Sequence, residues 1–237
     1  MNRLSGRLFL ISFFTLVIAG VFFIFNYSVL ASEIVDTDGD GYSDEQEIAN
    51  KYSPFNSQSV RADQSDVDQD GLNDWQEWHR RTNPFSADSD GDGYKDGEEV
   101  DNAFDPLSDS TEKLPRRIEI NLKEQRLFYI VDEQIWKTFP VSTGQPSMPT
   151  PTGEFQIMSK IAKAWSNAYQ LWMPYWLGLG SSRIGIHELP VWPNGYREGE
   201  DHLGQPVSHG CIRLGVGPAS YLYERVDIGT EVRIKAE

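Results

Sequence analysis

The chain carries one cysteine, Cys211, and three of its four histidines, His187, His202 and His209, fall within 23 positions, the last of them two residues before the thiol. A thiol is mostly protonated near neutral pH and becomes a useful nucleophile when an imidazole takes its proton. In Ser208-His209-Gly210-Cys211 the glycine beside the nucleophile lets a substrate carbonyl approach the backbone, whose N–H groups can stabilise an oxyanion. The same donors allow another chemistry. His187, His209 and Cys211 are also a zinc-ligand set, because residues two apart on a strand share a face. His202 reads as a surface residue, and His79 has no evident role.

A second pattern occurs three times. Residues 36–47, 66–77 and 88–99 align without gaps, with carboxylates at positions 1, 3, 5, 9 and 12 and glycine at position 6. The carboxylates are Asp36, Asp38, Asp40, Asp44 and Glu47, then Asp66, Asp68, Asp70, Asp74 and Glu77, then Asp88, Asp90, Asp92, Asp96 and Glu99. Position 7 (Tyr42, Leu72, Tyr94) offers its backbone carbonyl. A hard divalent cation takes about six to eight oxygens, and this spacing folds the chain round one, which favours calcium over the more tightly hydrated magnesium. Pro54, Pro84 and Pro106 each follow a closing glutamate by seven residues, so each unit reads as a loop, a short helix and a proline stop. Ser86-Ala87 leaves no room for a helix entering the third loop, which argues against paired EF-hands. The pattern instead resembles thrombospondin type 3 repeats, tandem calcium loops with little core of their own. Without cation the carboxylates repel one another, so the segment is expected to be ordered only when loaded. Outside the cell, dissociation constants on the order of 10⁻⁴ to 10⁻³ M suffice.

These loops account for the charge of the whole chain. Of 36 acids and 21 bases, residues 32–112 hold 23 acids and 5 bases, whereas residues 113–237 hold 13 acids and 14 bases. A net charge of −15 excludes a nucleic-acid partner held by phosphate contacts. At the other end, Arg3 and Arg7 precede an uncharged run over residues 8–25, long enough as a helix to approach the thickness of a bilayer core. Residues 1–31 therefore read as a membrane-targeting helix, either a signal peptide cut after Ala31 or a retained anchor. Both send the remainder out, to the periplasm or cell envelope, where one cysteine forms no intramolecular disulfide and a lone thiol is a liability unless used.

The elements that must position the thiol begin near Arg117. Short alternating runs at Ile118-Glu-Ile120-Asn-Leu122, Leu127-Phe-Tyr-Ile-Val131, Ile135-Trp-Lys-Thr-Phe139 and Gly153-Glu-Phe155-Gln-Ile157 predict strands, with a closing strand at Gly229-Thr-Glu-Val232-Arg-Ile234. Pro218 starts a helix running to Arg225. The fold expected is mainly β and mostly antiparallel, with residues 113–237 as one domain and residues 32–112 as a separate repeat region. The aromatic group Trp165, Tyr169, Trp172, Tyr175 and Trp176 favours core over groove.

Several ordered motifs now combine. Ile186-His187, Ser208-His-Gly-Cys-Ile-Arg213-Leu, Val141-Ser-Thr-Gly144, Pro149-Thr-Pro-Thr-Gly153 and Gly229-Thr-Glu-Val232 together resemble the L,D-transpeptidase catalytic domain of the YkuD type, over roughly residues 117–235. The resemblance implies a β-sandwich-like fold and a cysteine nucleophile acting on peptidoglycan stem peptides through a thioester, with no catalytic cofactor. It implies Cys211 as nucleophile, His187 as general base oriented by the Glu188 carbonyl, His209 as a further catalytic residue lining the oxyanion side, and Ser208, Gly210 and Arg213 on the substrate and oxyanion side. It also implies acylation of Cys211 by carbapenem-type β-lactams. The chain departs from the family in one respect. Twenty residues separate His187 from Ser208, more than usual, and this acidic, aromatic insert reads as a loop over the cleft. Two alternatives stay open: an L,D-carboxypeptidase or endopeptidase of the same fold, and a calcium-dependent envelope binding protein without activity. The repeats read as a spacer or as a docking module for an envelope protein.

Overall fold

The computed structural model describes residues 35–180 and 184–236; the expected membrane-targeting helix over residues 1–31 lies outside them. Among the described residues no helix is long and apolar enough to cross a membrane.

Alternation builds the first strands. In β1 (Arg116–Asn121) Ile118 and Ile120 point into the core and the charged residues between them point out. β2 (Arg126–Val131) and β3 (Gln134–Ser142) follow, parted by Asp132 and Glu133, both at positive φ (50° and 62°), the twist a two-residue hairpin turn requires. β4 (Gly153–Ser166) and β5 (Leu171–Leu179) form a long hairpin. β6 (Gly185–Glu188), β7 (Ile212–Leu214) and β8 (Glu231–Lys235) complete the set.

The strands close into a barrel in the order β1-β2-β3-β7-β6-β5-β4-β8. Most pairs are antiparallel, as expected, but β6 runs parallel to β7 and β8 parallel to β1. A sandwich of two open layers does not result, because β3 and β4 each serve both layers. β4 pairs with β8 through its first four residues and, after an irregularity between Ile157 and Ser159, with β5. The interior is filled by Tyr129, Leu127, Ile118, Ile157, Leu177, Ile186, Ile212 and Leu214. α4 (Pro218–Arg225) begins at its proline and buries Ala219 and Leu222 against this core.

Three short helices, α1 (Asp44–Ala49), α2 (Asp74–Arg80) and α3 (Asp96–Asp101), each start at position 9 of a carboxylate loop. Six or seven residues are too few for a helix to persist alone in water. Capping boxes, Ser43 with Gln46 and Asn73 with Gln76, satisfy the first N–H groups of α1 and α2. Tertiary packing supplies the rest. Gly97 lies so close to the second loop that an added Cβ would stand 2.4 Å from Asp70 O. Phe55, behind the first proline stop, packs on Trp78 and Phe85.

The repeats also share the barrel's core, since Leu72, Val100 and Ala103 belong to the same buried cluster as the strand residues. At the last residue of α3, Asp101 Oδ1 accepts from Trp136 Nε1 at 2.8 Å and from Tyr221 OH, while Oδ2 accepts from Arg225 Nε at 2.9 Å and from Arg225 NH2. Residues 36–237 form one compact unit on this basis.

Candidate active site and cation loops

β6 and β7 place the thiol and the imidazole. Ile186 pairs with Ile212 and His187 with Arg213, so Cys211, just before β7, shares a sheet face with His187 and Arg213. His187 is buried, and its Nδ1–H donates to Glu188 O at 2.6 Å. That bond fixes the tautomer and leaves Nε2 as the acceptor. Burial holds the imidazole's pKa down to about 4, against the pull of the Glu188 carbonyl and with help from the charge of Arg213. Burial pushes the Cys211 thiol up, opposed by the Gly185 N–H and by Arg213. The site at neutral pH therefore holds a protonated thiol and a neutral imidazole rather than a preformed ion pair.

The turn carrying Cys211 is fixed from below. Ser208 is fully buried; its hydroxyl donates to Cys211 O at 2.6 Å and accepts from Gly210 N–H at 3.1 Å, so it shapes the turn instead of facing the cleft. Gly210 takes φ +107°, which a side chain would strain. Thr150, which the sequence offered within the Pro149-Thr-Pro-Thr-Gly153 motif without a role of its own, accepts from Gly144 N–H at 2.8 Å and donates to Gly210 O at 2.9 Å. Gly144 has no space for a Cβ, 2.2 Å from Met148 O.

Of the aromatic group expected in the core, Tyr175 packs against it, whereas Trp176 and Tyr169 stand at this site. The indole of Trp176 stacks on the His187 ring at 5.9 Å, and Tyr169, at the end of the β4–β5 hairpin, stacks on His209 at 4.5 Å. Trp165 meets Trp172 edge-on. All are half-buried or exposed, because the hairpin extends past the barrel wall and leaves one side uncovered. Among the described residues His187, His209 and Cys211 do not converge as metal donors, and His187 Nδ1 is committed to a carbonyl. His202 is tied to Glu198 at 3.2 Å within the insert.

Converging donors lie in the carboxylate loops. The carboxylate oxygens of Asp36, Asp38 and Asp40, of Asp66, Asp68 and Asp70, and of Asp88, Asp90 and Asp92 each fall within 4.8 Å of one another. Each closing glutamate is buried and keeps one oxygen without a partner: Glu47 Oε2, Glu77 Oε2 and Glu99 Oε2, joined by Asp38 Oδ2, Asp68 Oδ2, Asp70 Oδ2 and Asp74 Oδ1. Orphaned buried carboxylate oxygens arranged round a point are what a calcium ion would satisfy. The position-9 residues behave differently. Asp44 accepts from Thr37 N–H and Oγ1, and Asp96 from Ser89 N–H and Oγ, so both brace their loops through position 2. In the middle loop position 2 is Val67, and Asp74 accepts from Ser53 Oγ instead. Burial, reinforced by neighbouring carboxylates, raises Glu47 and Glu99 to about 7 and Glu77 to about 8. Tyr42, Leu72 and Tyr94 occupy the turns into the helices, Leu72 inside the shared core.

The profile of the L,D-transpeptidase catalytic domain matches residues 115–234, half of the chain, and spans every element that holds the thiol and the imidazole. The chain belongs to this family. The bacterial TSP3 repeat matches residues 36–51 and 88–102. The middle loop departs from both in having Gln69 at φ +62° where the others have Gly39 and Gly91. L,D-transpeptidase 1 of Mycobacterium tuberculosis is 30% identical over 115 residues, 43% of each chain. A Bacillus subtilis relative is 29% identical over 121 residues, 51% of this chain and 66% of the relative. An L,D-transpeptidase structure from Mycobacterium smegmatis aligns with a TM-score of 0.46 at 20% identity, over 52% of this chain and 60% of the other. The chain thus spans less than two thirds of the length of these relatives.

Within this L,D-transpeptidase family domain, the insert between His187 and Ser208 is knitted to the hairpin. Val191 pairs with Trp172 and with Arg197, and the Arg197 guanidinium reaches Glu188. The reading of this stretch as a loop agrees with its single 3₁₀ turn, Glu200–His202. Nothing in the sequence marked Glu198, the residue through which the insert touches Arg213.

Proposed function

We propose that the chain is a cysteine-dependent L,D-transpeptidase acting on peptidoglycan stem peptides through a thioester. The His187 Nδ1–H bond to Glu188 O supports this most directly, because it leaves Nε2 free of its proton and on the face that Cys211 shares. His187 Nε2 takes the thiol proton as sulfur attacks the carbonyl of the L-centred diamino residue in a tetrapeptide stem. The Cys211 backbone N–H steadies the oxyanion, the Gly210 N–H being held by Ser208 Oγ. As the tetrahedral adduct collapses, the imidazolium returns the proton to the departing D-alanine amine and the thioester remains. The amine of a second stem, or of an attached protein, then adds to the thioester, gives its proton to His187, and expels the thiolate, which is reprotonated. The energy of the broken peptide bond is carried in the thioester, so no nucleotide is needed.

The three loops are read as structural calcium sites, held by the position 1, 3, 5 and 12 carboxylates and the position 7 carbonyl. Calcium there would supply charge neutralisation and fixed geometry. With the N-terminal segment as signal or anchor, the catalytic domain would work in the periplasm or cell envelope, at the membrane or on an envelope partner. Incubation with tetrapeptide-stem peptidoglycan followed by muropeptide analysis tests the activity: new cross-links are expected, trimmed stems would identify a hydrolase, and no change would leave a binding protein.

A further inference from the structure

The insert delivers one carboxylate back to the site. Glu198 N–H donates to Pro190 O at 3.1 Å, closing the loop, and its carboxylate accepts from Arg213 NH1 at 2.6 Å and from His202 Nδ1 at 3.2 Å. Arg213 is buried, and its Nε has no partner. A buried guanidinium needs a counter-charge, and its own sheet gives none: its register neighbours are His187 on β6 and Ser142 on β3. Glu188, next to His187 on β6, is committed to Arg197, and His202 shares the Glu198 carboxylate. Its positive charge acts on both Cys211 and His187.

We infer that Glu198 is a positioning residue for the thiol chemistry, clamping the Arg213 guanidinium beside Cys211 and His187 and supplying its counter-charge. The inference rests on Cys211 being the nucleophile proposed above.

The full chain with calcium is the material for the test, and the pH profile of alkylation by iodoacetamide is the readout, since the chain has no other cysteine. Glu198→Gln removes the counter-charge, so the midpoint should fall by about one pH unit. Glu198→Asp keeps the charge and should keep the wild-type midpoint. In an Arg213→Gln background, Glu198→Gln should lower the midpoint by less than it does in the wild type, because the part acting through the guanidinium is gone. An unchanged midpoint in Glu198→Gln, an equal fall in Glu198→Asp, or the same fall without Arg213 would each overturn the role. A shifted profile with no acyl-enzyme formed from a tetrapeptide would leave the role standing and remove the transpeptidase reading.

Discussion

Glu77 and Glu188 are equally buried carboxylates in the two regions of this molecule, and they are satisfied in opposite ways. Glu188, in the barrel, meets the guanidinium of Arg197. Glu77, in the middle repeat, has one oxygen 3.5 Å from Thr82 Oγ1 and the other with no partner. Most of the unpartnered buried side-chain atoms among the described residues lie in the repeats. The barrel therefore completes most of its polar interior from its own residues, Arg116 Nε, Tyr129 OH and Arg213 Nε excepted, whereas every repeat leaves buried carboxylate oxygens without a partner. Asp101 joins the two, a repeat residue whose carboxylate is filled entirely by barrel donors.

The largest effect should come from removing divalent cations. With chelator, unpaired oxygens at about 1–3 kcal/mol each accumulate in the repeats. Thermal unfolding followed by circular dichroism should then start well below the calcium-loaded transition. The dependence on pH has a definite sign. Glu47, Glu77 and Glu99 have folded-state pKa values raised above their ordinary range, so their contribution is fully present at pH 4 and lost as pH climbs through about 7 to 8. Cation-free protein should lose stability from pH 5 to 8, and saturating calcium should abolish the trend. Equal stability with and without cation across that range would break the contrast.

Glu77→Gln sharpens it further by changing sign. With calcium the variant should lose about 2–3 kcal/mol, a ligand charge having gone; with chelator it should be no less stable than wild type, because a neutral amide replaces a buried carboxylate. Asp101→Asn comes next. Losing the charge-assisted bonds to Arg225 should cost about 1.5–3 kcal/mol and split one calorimetric transition into two. Smallest is the acid limb of activity. Because His187 titrates near 4, kcat/KM should hold down to about pH 5, whereas a base of ordinary histidine pKa would already have failed.

Periodicity made β1 to β3 and the start of β4 legible, along with the α4 start at Pro218, because one face of each is buried. β5 was not, since Leu171–Leu179 mixes tryptophans with Pro174 and Gly178 and belongs to a hairpin half out of the barrel. β6 and β7 are four and three residues long, too short for any pattern to show, and yet β6 carries His187 and β7 follows directly on Cys211. Cys211, His187 and the Glu188 carbonyl were readable through local motifs. Trp176, Tyr169, Thr150 and Glu198 reach the site across sheet pairings and a loop, which spacing along one chain does not encode. The same limit hid the joint at Asp101, whose partners stand 35 to 124 residues away.

Intact-protein mass spectrometry after mixing the calcium-loaded chain with a tetrapeptide stem addresses the thiol mechanism most directly. A single acyl adduct, mapped to Cys211 by peptide digestion, removed by an added amine and absent from Cys211→Ala, is the expected result. Cross-linking that persists in Cys211→Ala, or an adduct on any other residue, would contradict it.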